Sequence, residues 1–170
     1  MRNSVTIEQA KKIISTNQSP DINFDQSVNP YRGCEHGCIY CYARPTHAYL
    51  GLSPGLDFES KLVAKSNAPE LLLHELAAKN YRPKTIALGA NTDPYQPAEK
   101  STRVTRQLLE LFQKHEHPVN LITKGNLISR EEMEQAEAVV HRPLNVFVDE
   151  HNRIVETRSE NAGQAGLRAI

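Results

Sequence analysis

The sequence predicts an α/β fold in which parallel strands alternate with right-handed helical crossovers, forming a sheet that is open or curled toward a barrel. Three observations predict it. Strand-like and helix-like stretches alternate from residue 22 to residue 148. Two helices carry capping-box starts, Asn67 with Glu70 and Ser129 with Glu132. Polar turns follow several strands, at the end where parallel sheets gather their ligands.

Residues 1–18 read as a weakly amphipathic lead-in, with Ile7, Ala10 and Ile14 on one side. An extended stretch at 22–28 places Ile22, Phe24 and Val28 on one face and delivers the chain into a loop at 31–45. Pro45, Gly51, Pro54 and Gly55 keep 44–57 irregular. Residues 58–65 read as a strand, and Asn67 then opens a helix through 71–76, on which His74 is a packed or surface histidine. A short strand at 84–90, carrying Ile86 and Leu88, ends in the polar turn 91–97.

The helix predicted at 101–114 has one apolar stripe, Val104, Leu108, Leu111 and Phe112. A strand at 119–123 runs into Thr123-Lys124-Gly125, and Ser129 opens a helix ending near Val140. Residues 144–148 are strand-like. With Glu150-His151-Asn152-Arg153 between two apolar runs, 144–157 also reads as an antiparallel hairpin. The organisation expected is a lead-in at 1–18, a βα domain at 19–150 and a loosely ordered tail at 151–170.

Composition bounds the function classes. Hydrophobic residues make up 39% and charged residues 24% of the 170, as in a globular protein. Lys plus Arg and Asp plus Glu number 20 each, so no global basic field draws in nucleic acid. No apolar run approaches the ~20 residues of a membrane span. The N-terminus carries Arg2, Glu8, Lys11 and Lys12 without the apolar core of a secretory signal, which points to the cytoplasm. A Walker loop, a dinucleotide glycine fingerprint and a nucleophile elbow are all missing, and no carboxylate pair stands out as an acid/base couple.

The chemistry is concentrated in Cys34, Cys38 and Cys41, the only three cysteines of the chain. An odd number in one short loop does not make a disulfide framework. Cys38-x-x-Cys41 has zinc-knuckle spacing, with His36 or His47 available beside Cys34, but the second ligand pair usual in structural zinc sites is missing. A redox Cys-x-x-Cys would leave Cys34 unexplained. A cubane iron–sulfur cluster uses all three: three thiolates hold three irons and leave the fourth open to a chelating molecule.

The run Asn29-Pro30-Tyr31-Arg32-Gly33-Cys34, continuing to Cys38-Ile39-Tyr40-Cys41-Tyr42-Ala43-Arg44-Pro45, resembles the signature of the radical S-adenosylmethionine enzymes. It resembles in particular the subgroup related to spore photoproduct lyases and described as DNA repair photolyase-like. Tyr49-Leu50-Gly51-Leu52 and Asn91-Thr92-Asp93-Pro94-Tyr95-Gln96-Pro97 extend the likeness, which covers roughly 19–129.

The resemblance implies a partial parallel βα barrel, incomplete on its C-terminal side, with a 4Fe–4S cluster on Cys34, Cys38 and Cys41 at its mouth. It implies that the open iron chelates S-adenosylmethionine, and that one electron from a flavodoxin- or ferredoxin-like donor cleaves it. The 5′-deoxyadenosyl radical then abstracts hydrogen from a substrate that the subgroup suggests is related to nucleic acid. Tyr40 is expected near the adenine. Asn91, Thr92 and Asp93 are expected at the cofactor's amino group, to which all three offer oxygen acceptors; the plain alternative is a turn in which Asn91 and Asp93 satisfy backbone groups. Tyr31, Tyr40, Tyr42 and Tyr49 would shield the cluster, Arg32 and Arg44 would offset its charge, and Lys124 would meet a carboxylate or phosphate.

Two departures qualify that expectation. Spore photoproduct lyases use a further cysteine as hydrogen donor, and this chain has none to spare. The likeness stops near residue 130, and a full eight-stranded barrel takes about 250 residues. The reading is therefore a truncated or recombined product, prone to self-association through an exposed sheet edge. The alternatives are a small zinc-binding interaction module and a cluster-binding remnant without activity.

Overall fold

The computed structural model describes residues 3–20, 22, 24–125 and, as strand backbone, 146–148 and 155–157. Its strands are β1 (Ser4–Glu8), β2 (Ile14–Thr16), β3 (Gln26–Val28), β4 (Tyr31–Arg32), β5 (Lys61–Lys65), β6 (Ile86–Leu88), β7 (Val119–Thr123), β8 (Val146–Val148) and β9 (Val155–Thr157). The helices are α1 (Leu56–Ser60), α2 (Ala68–Leu76), α3 (Glu99–Thr102) and α4 (Val104–Lys114), with a 3-10 helix at Arg44–Leu50. The helix expected from Ser129 lies outside the described residues.

The expected partial βα barrel is not what forms. The strands make two mixed sheets, one ordered β1-β5-β4 and the other β2-β3-β6-β7-β8-β9. In the larger sheet β3, β6, β7 and β8 are parallel, but β2 and β9 close the two ends in antiparallel sense. β5 does not join them. It pairs parallel with β1 and antiparallel with β4, so β3 and β6 meet directly with no strand between them. A barrel needs one run of strands whose first and last edges meet; here the run is divided between two sheets.

Local sequence explains most departures. Ser4–Glu8 alternates Val5 and Ile7 with polar residues, the period of a strand, and the lead-in accordingly supplies β1 and β2. Asn67 does precede α2, but its amide reaches across to the backbone of Ala10, accepting from N–H at 2.9 Å and donating to C=O at 2.9 Å. The segment read as one helix at 101–114 breaks at Arg103, whose φ of 53° ends α3 before α4 begins. α4 is then capped from a distance: the buried Glu99 carboxylate accepts from the N–H groups of Thr105 (3.1 Å) and Arg106 (3.0 Å). The antiparallel pairing of β8 with β9 agrees with the hairpin reading of 144–157, while β8 also continues the parallel run beside β7.

The core lies between the larger sheet and the packed pair α2 and α4. Leu72, Leu108 and Phe112 meet Ile86, Leu88, Val119 and Leu121, all nearly inaccessible. Residues two apart on β6 and β7 share a face, so Ile86 with Leu88 and Val119 with Leu121 point into this layer together. Among the described residues no helix is long and apolar enough to cross a membrane.

Leu108→Ala should lower the unfolding free energy by about 2–5 kcal/mol through the cavity it leaves. Arg103→Gly should raise it by up to about 1 kcal/mol, because the left-handed backbone there suits glycine. Urea denaturation of the two variants beside the parent checks both signs.

Candidate functional site

β6 and β7 run parallel, so their carboxyl ends lie side by side, and residues 89–93 and 122–124 form one wall of a cavity. The cysteine loop forms the other. The cavity, about 230 Å³, is lined by all three cysteines, His36, Tyr40 and Tyr42, and by Gly89 to Asp93 and Ile122 to Lys124. The residues singled out from sequence (Cys34, Cys38, Cys41, Tyr40, Asn91, Thr92 and Asp93) thus share one space.

Two glycines make the walls feasible. Gly33, at φ +77°, lies so close to the chain that a Cβ would sit 2.8 Å from Phe58 O and 3.0 Å from His47 Cε1. Gly89, at φ +91°, would put a Cβ 2.5 Å from Ile122 O. Both positions combine a left-handed backbone with contact to another segment, which only glycine meets without strain.

The cysteine loop itself is a series of tight turns. Cys34 N–H donates to Phe58 O at 2.9 Å, and Cys41 N–H donates to Cys38 O at 3.2 Å. Arg44 braces the turn by donating from Nε to Cys38 O at 2.9 Å, with its guanidinium on Glu59 and over the Phe58 ring. Its charge is thereby matched within the protein, as is that of Arg32 by Glu8. Cys34 is buried, while Cys38 and Cys41 are half-buried. Burial pushes the Cys34 thiol up to about 11, against backbone N–H groups of Asp93 and His36 that reach its sulfur.

The wall opposite is held by Asp93. Its Oδ1 accepts from Tyr95 N–H (2.8 Å) and from the Thr123 hydroxyl (2.7 Å), and its Oδ2 accepts from Lys124 N–H. His36 Nε2 stands 3.3 Å from the same Oδ2. Burial works against the charge on Asp93, but His36 and these hydrogen bonds outweigh it and hold the carboxyl below the ordinary range. Thr92 is also engaged, donating to Tyr31 O at 3.0 Å. Asn91 accepts at its side-chain oxygen from the Tyr42 hydroxyl, which also reaches Ala90 O. Asp93 therefore makes the backbone contacts of the plain turn while lining the cavity.

Tyr40 and Tyr42 stand at the rim, 60% and 72% exposed, each with its hydroxyl fixed. Lys124 Nζ donates to the Tyr40 hydroxyl at 3.1 Å and lies 4.9 Å from the centre of its ring. Tyr31 is elsewhere. It is buried, its hydroxyl on Glu99 and Thr102, and burial with the Glu99 charge drives its pKa far up. Of the two histidines weighed as zinc ligands, His36 lines the cavity; His47 lies buried beneath the loop with Nε2 on Lys61 O at 2.9 Å.

Among the described residues no three His, Cys, Asp or Glu side chains converge as the ligands of a single metal ion would. A cubane asks for a different arrangement, one thiolate to each iron. The donor set is compatible with that demand: all three cysteines line one cavity, Cys34 buried and Cys38 and Cys41 half-buried.

An uncharacterized protein of Mycobacterium tuberculosis is 43% identical over 125 residues, covering 74% of this chain and 37% of that protein. One of Mycobacterium bovis matches with the same figures, and one of Methanocaldococcus jannaschii is 30% identical over 123 residues, covering 72% of this chain and 43% of its own length. The chain spans less than half the length of these relatives. No protein-family model matches it, and neither does any solved structure.

Three outcomes follow from this geometry. Iodoacetamide should label Cys38 and Cys41 of the metal-free, reduced protein well before Cys34, as read by peptide mass spectrometry. Asp93→Asn should cost about 1–3 kcal/mol, because an amide cannot accept from all the groups around it. A carboxyl with a depressed folded pKa contributes stability above its unfolded value, near 3.8, that is lost as pH falls through the folded one. The acid limb of a stability–pH profile should therefore be shallower in Asp93→Asn than in the parent.

Proposed function

We propose that the chain is a radical S-adenosylmethionine protein, in which Cys34, Cys38 and Cys41 would hold a 4Fe–4S cluster beside the cavity they line. The observation that carries the proposal is the meeting of two separate motifs in one space: the Cys-x-x-x-Cys-x-x-Cys loop lies opposite the segment 89–93 across about 230 Å³. Neither motif alone requires the other. When bound, the cluster supplies the electron that cleaves the sulfonium carbon–sulfur bond of S-adenosylmethionine, for abstraction of a hydrogen atom from substrate.

The residues of the chain have distinct duties in this reading. The three thiolates would hold the iron, and its charge would stabilise the ionised Cys34 against the burial that raises its pKa. Tyr40 offers a ring and backbone to the adenine. Lys124 supplies a cation at the rim for the cofactor's carboxylate, as its position beside Tyr40 allows. Asn91, Thr92 and Asp93 form the wall, where an ammonium would be met by backbone carbonyls and by the remaining lone pairs of Asn91 Oδ1 and Thr92 Oγ1. Tyr42, fixed across the opening, limits access of water and oxygen. A flavodoxin- or ferredoxin-like protein is the reductant, and the substrate belongs to a class related to nucleic acid.

The test is electron paramagnetic resonance of anaerobically reconstituted, reduced protein, with iron, sulfide and zinc determined on the same sample. About four irons and four sulfides per chain, with a reduced-cluster signal that changes on adding S-adenosylmethionine, is the expected outcome. Release of 5′-deoxyadenosine would then separate an active protein from a cluster-binding remnant. Cys34→Ala, Cys38→Ala and Cys41→Ala should each abolish the signal. One zinc per chain and no iron would overturn the proposal in favour of a zinc module.

A further inference from the structure

Gln96 is fully buried, and both ends of its amide are bound to the cysteine loop. Its Oε1 accepts from Glu35 N–H at 3.0 Å and its Nε2 donates to Gly33 O at 3.2 Å. The two bonds grip the backbone on either side of Cys34. Glu35 returns the contact, its Oε2 accepting from Ala98 N–H at 2.8 Å.

We infer that Gln96 is a positioning residue for Cys34, fixing the peptides on both sides of this cysteine so that its thiol is held in the cavity. The inference rests on the proposed metal centre for its functional meaning, though the clamp itself does not. A primary amide suits the task because it offers one acceptor and one donor in a plane, matching an N–H and a C=O of the same strand of backbone. The backbone also anchors this cysteine, Cys34 N–H donating to Phe58 O at 2.9 Å, whereas other side-chain anchors act further from the thiol: Thr92 holds Tyr31 O, and Asn29 Oδ1 accepts from Asn91 N–H at 2.7 Å. Gln96 is the side chain that brackets Cys34. The segment that walls the cavity on one side is thus continuous with the clamp that sets the loop on the other.

The test compares Gln96→Met, which keeps the volume but makes neither bond, and Gln96→Asn, which keeps the amide one methylene too short to make both. Leu109→Ala on α4 is the stability control. In metal-free, reduced protein that still melts cooperatively, both Gln96 variants should speed alkylation of Cys34 by about tenfold, with Cys38 and Cys41 changing little. Leu109→Ala should leave the order of labelling as in the parent. On reconstitution the Gln96 variants should hold less iron per chain or show a shifted reduced-cluster spectrum. Unchanged Cys34 labelling in both Gln96 variants, or equal exposure of Cys34 in Leu109→Ala, would overturn the inference. Failure of the parent to bind iron would instead count against the metal centre and leave the labelling result to decide on the clamp.

Discussion

The arrangement depends on a buried polar seam between the segments 29–36 and 89–99. Apolar packing of α2 and α4 on the larger sheet sets the strands in place, but it does not say where the cysteine loop goes. Hydrogen bonds do. Thr92 to Tyr31 O, Gln96 to Gly33 O and Glu35 N, Asn29 to Asn91 N and Glu99 to the Tyr31 hydroxyl join two segments some sixty residues apart. Buried groups left unpaired would each cost about 1–3 kcal/mol, so the seam forms as a set or not well at all. That cooperativity is what makes a loop carrying Gly33 and Gly37 between Pro30 and Pro45 into a defined wall.

Asp93 shows how such a seam extends to the second strand. Its carboxylate ties the turn after β6 to the end of β7, using both oxygens. Parallel neighbours place their carboxyl ends together but do not bond one loop to the next, and a carboxylate with several lone pairs is suited to that junction. His36 then links the same group to the cysteine loop. One side chain therefore ties together the three segments around the cavity.

Much of this was legible in the sequence, for identifiable reasons. The stripe Val104, Leu108, Leu111 and Phe112 and the strand 119–123 are set by periodicity, and α4 and β7 lie where periodicity puts them. The polar turns after strands were readable because a buried strand must end in residues that satisfy its backbone. What was not legible is partner choice. Nothing in Lys61–Lys65 distinguishes a strand that joins β3 from one that leaves for β1, because the decision is made by Ser4–Glu8, more than fifty residues away. The capping box at Asn67 failed for the same kind of reason: Ala10 offers its amide two hydrogen bonds where the helix start offers one. Gln96 stood inside a quoted motif, yet its role depends on a loop sixty residues earlier, and no local signal reports that.

The side-chain acceptors of the cavity wall bear on what can bind there. Asn91, Thr92 and Asp93 attract attention in sequence because each carries an oxygen, and an ammonium group wants oxygens. In the fold each of those side chains already has partners, and the Asp93 carboxylate has the most. Asp93 is filled by N–H and O–H donors, Thr92 gives its proton to Tyr31 O, and Asn91 is covered by Tyr42. A ligand that displaced the donors around Asp93 would break bonds that shape the wall. Backbone carbonyls at the ends of β6 and β7 carry a second lone pair each and need no such exchange. The polar side chains of the turn therefore act as its frame, which sets the peptide groups, rings and lysine around the cavity.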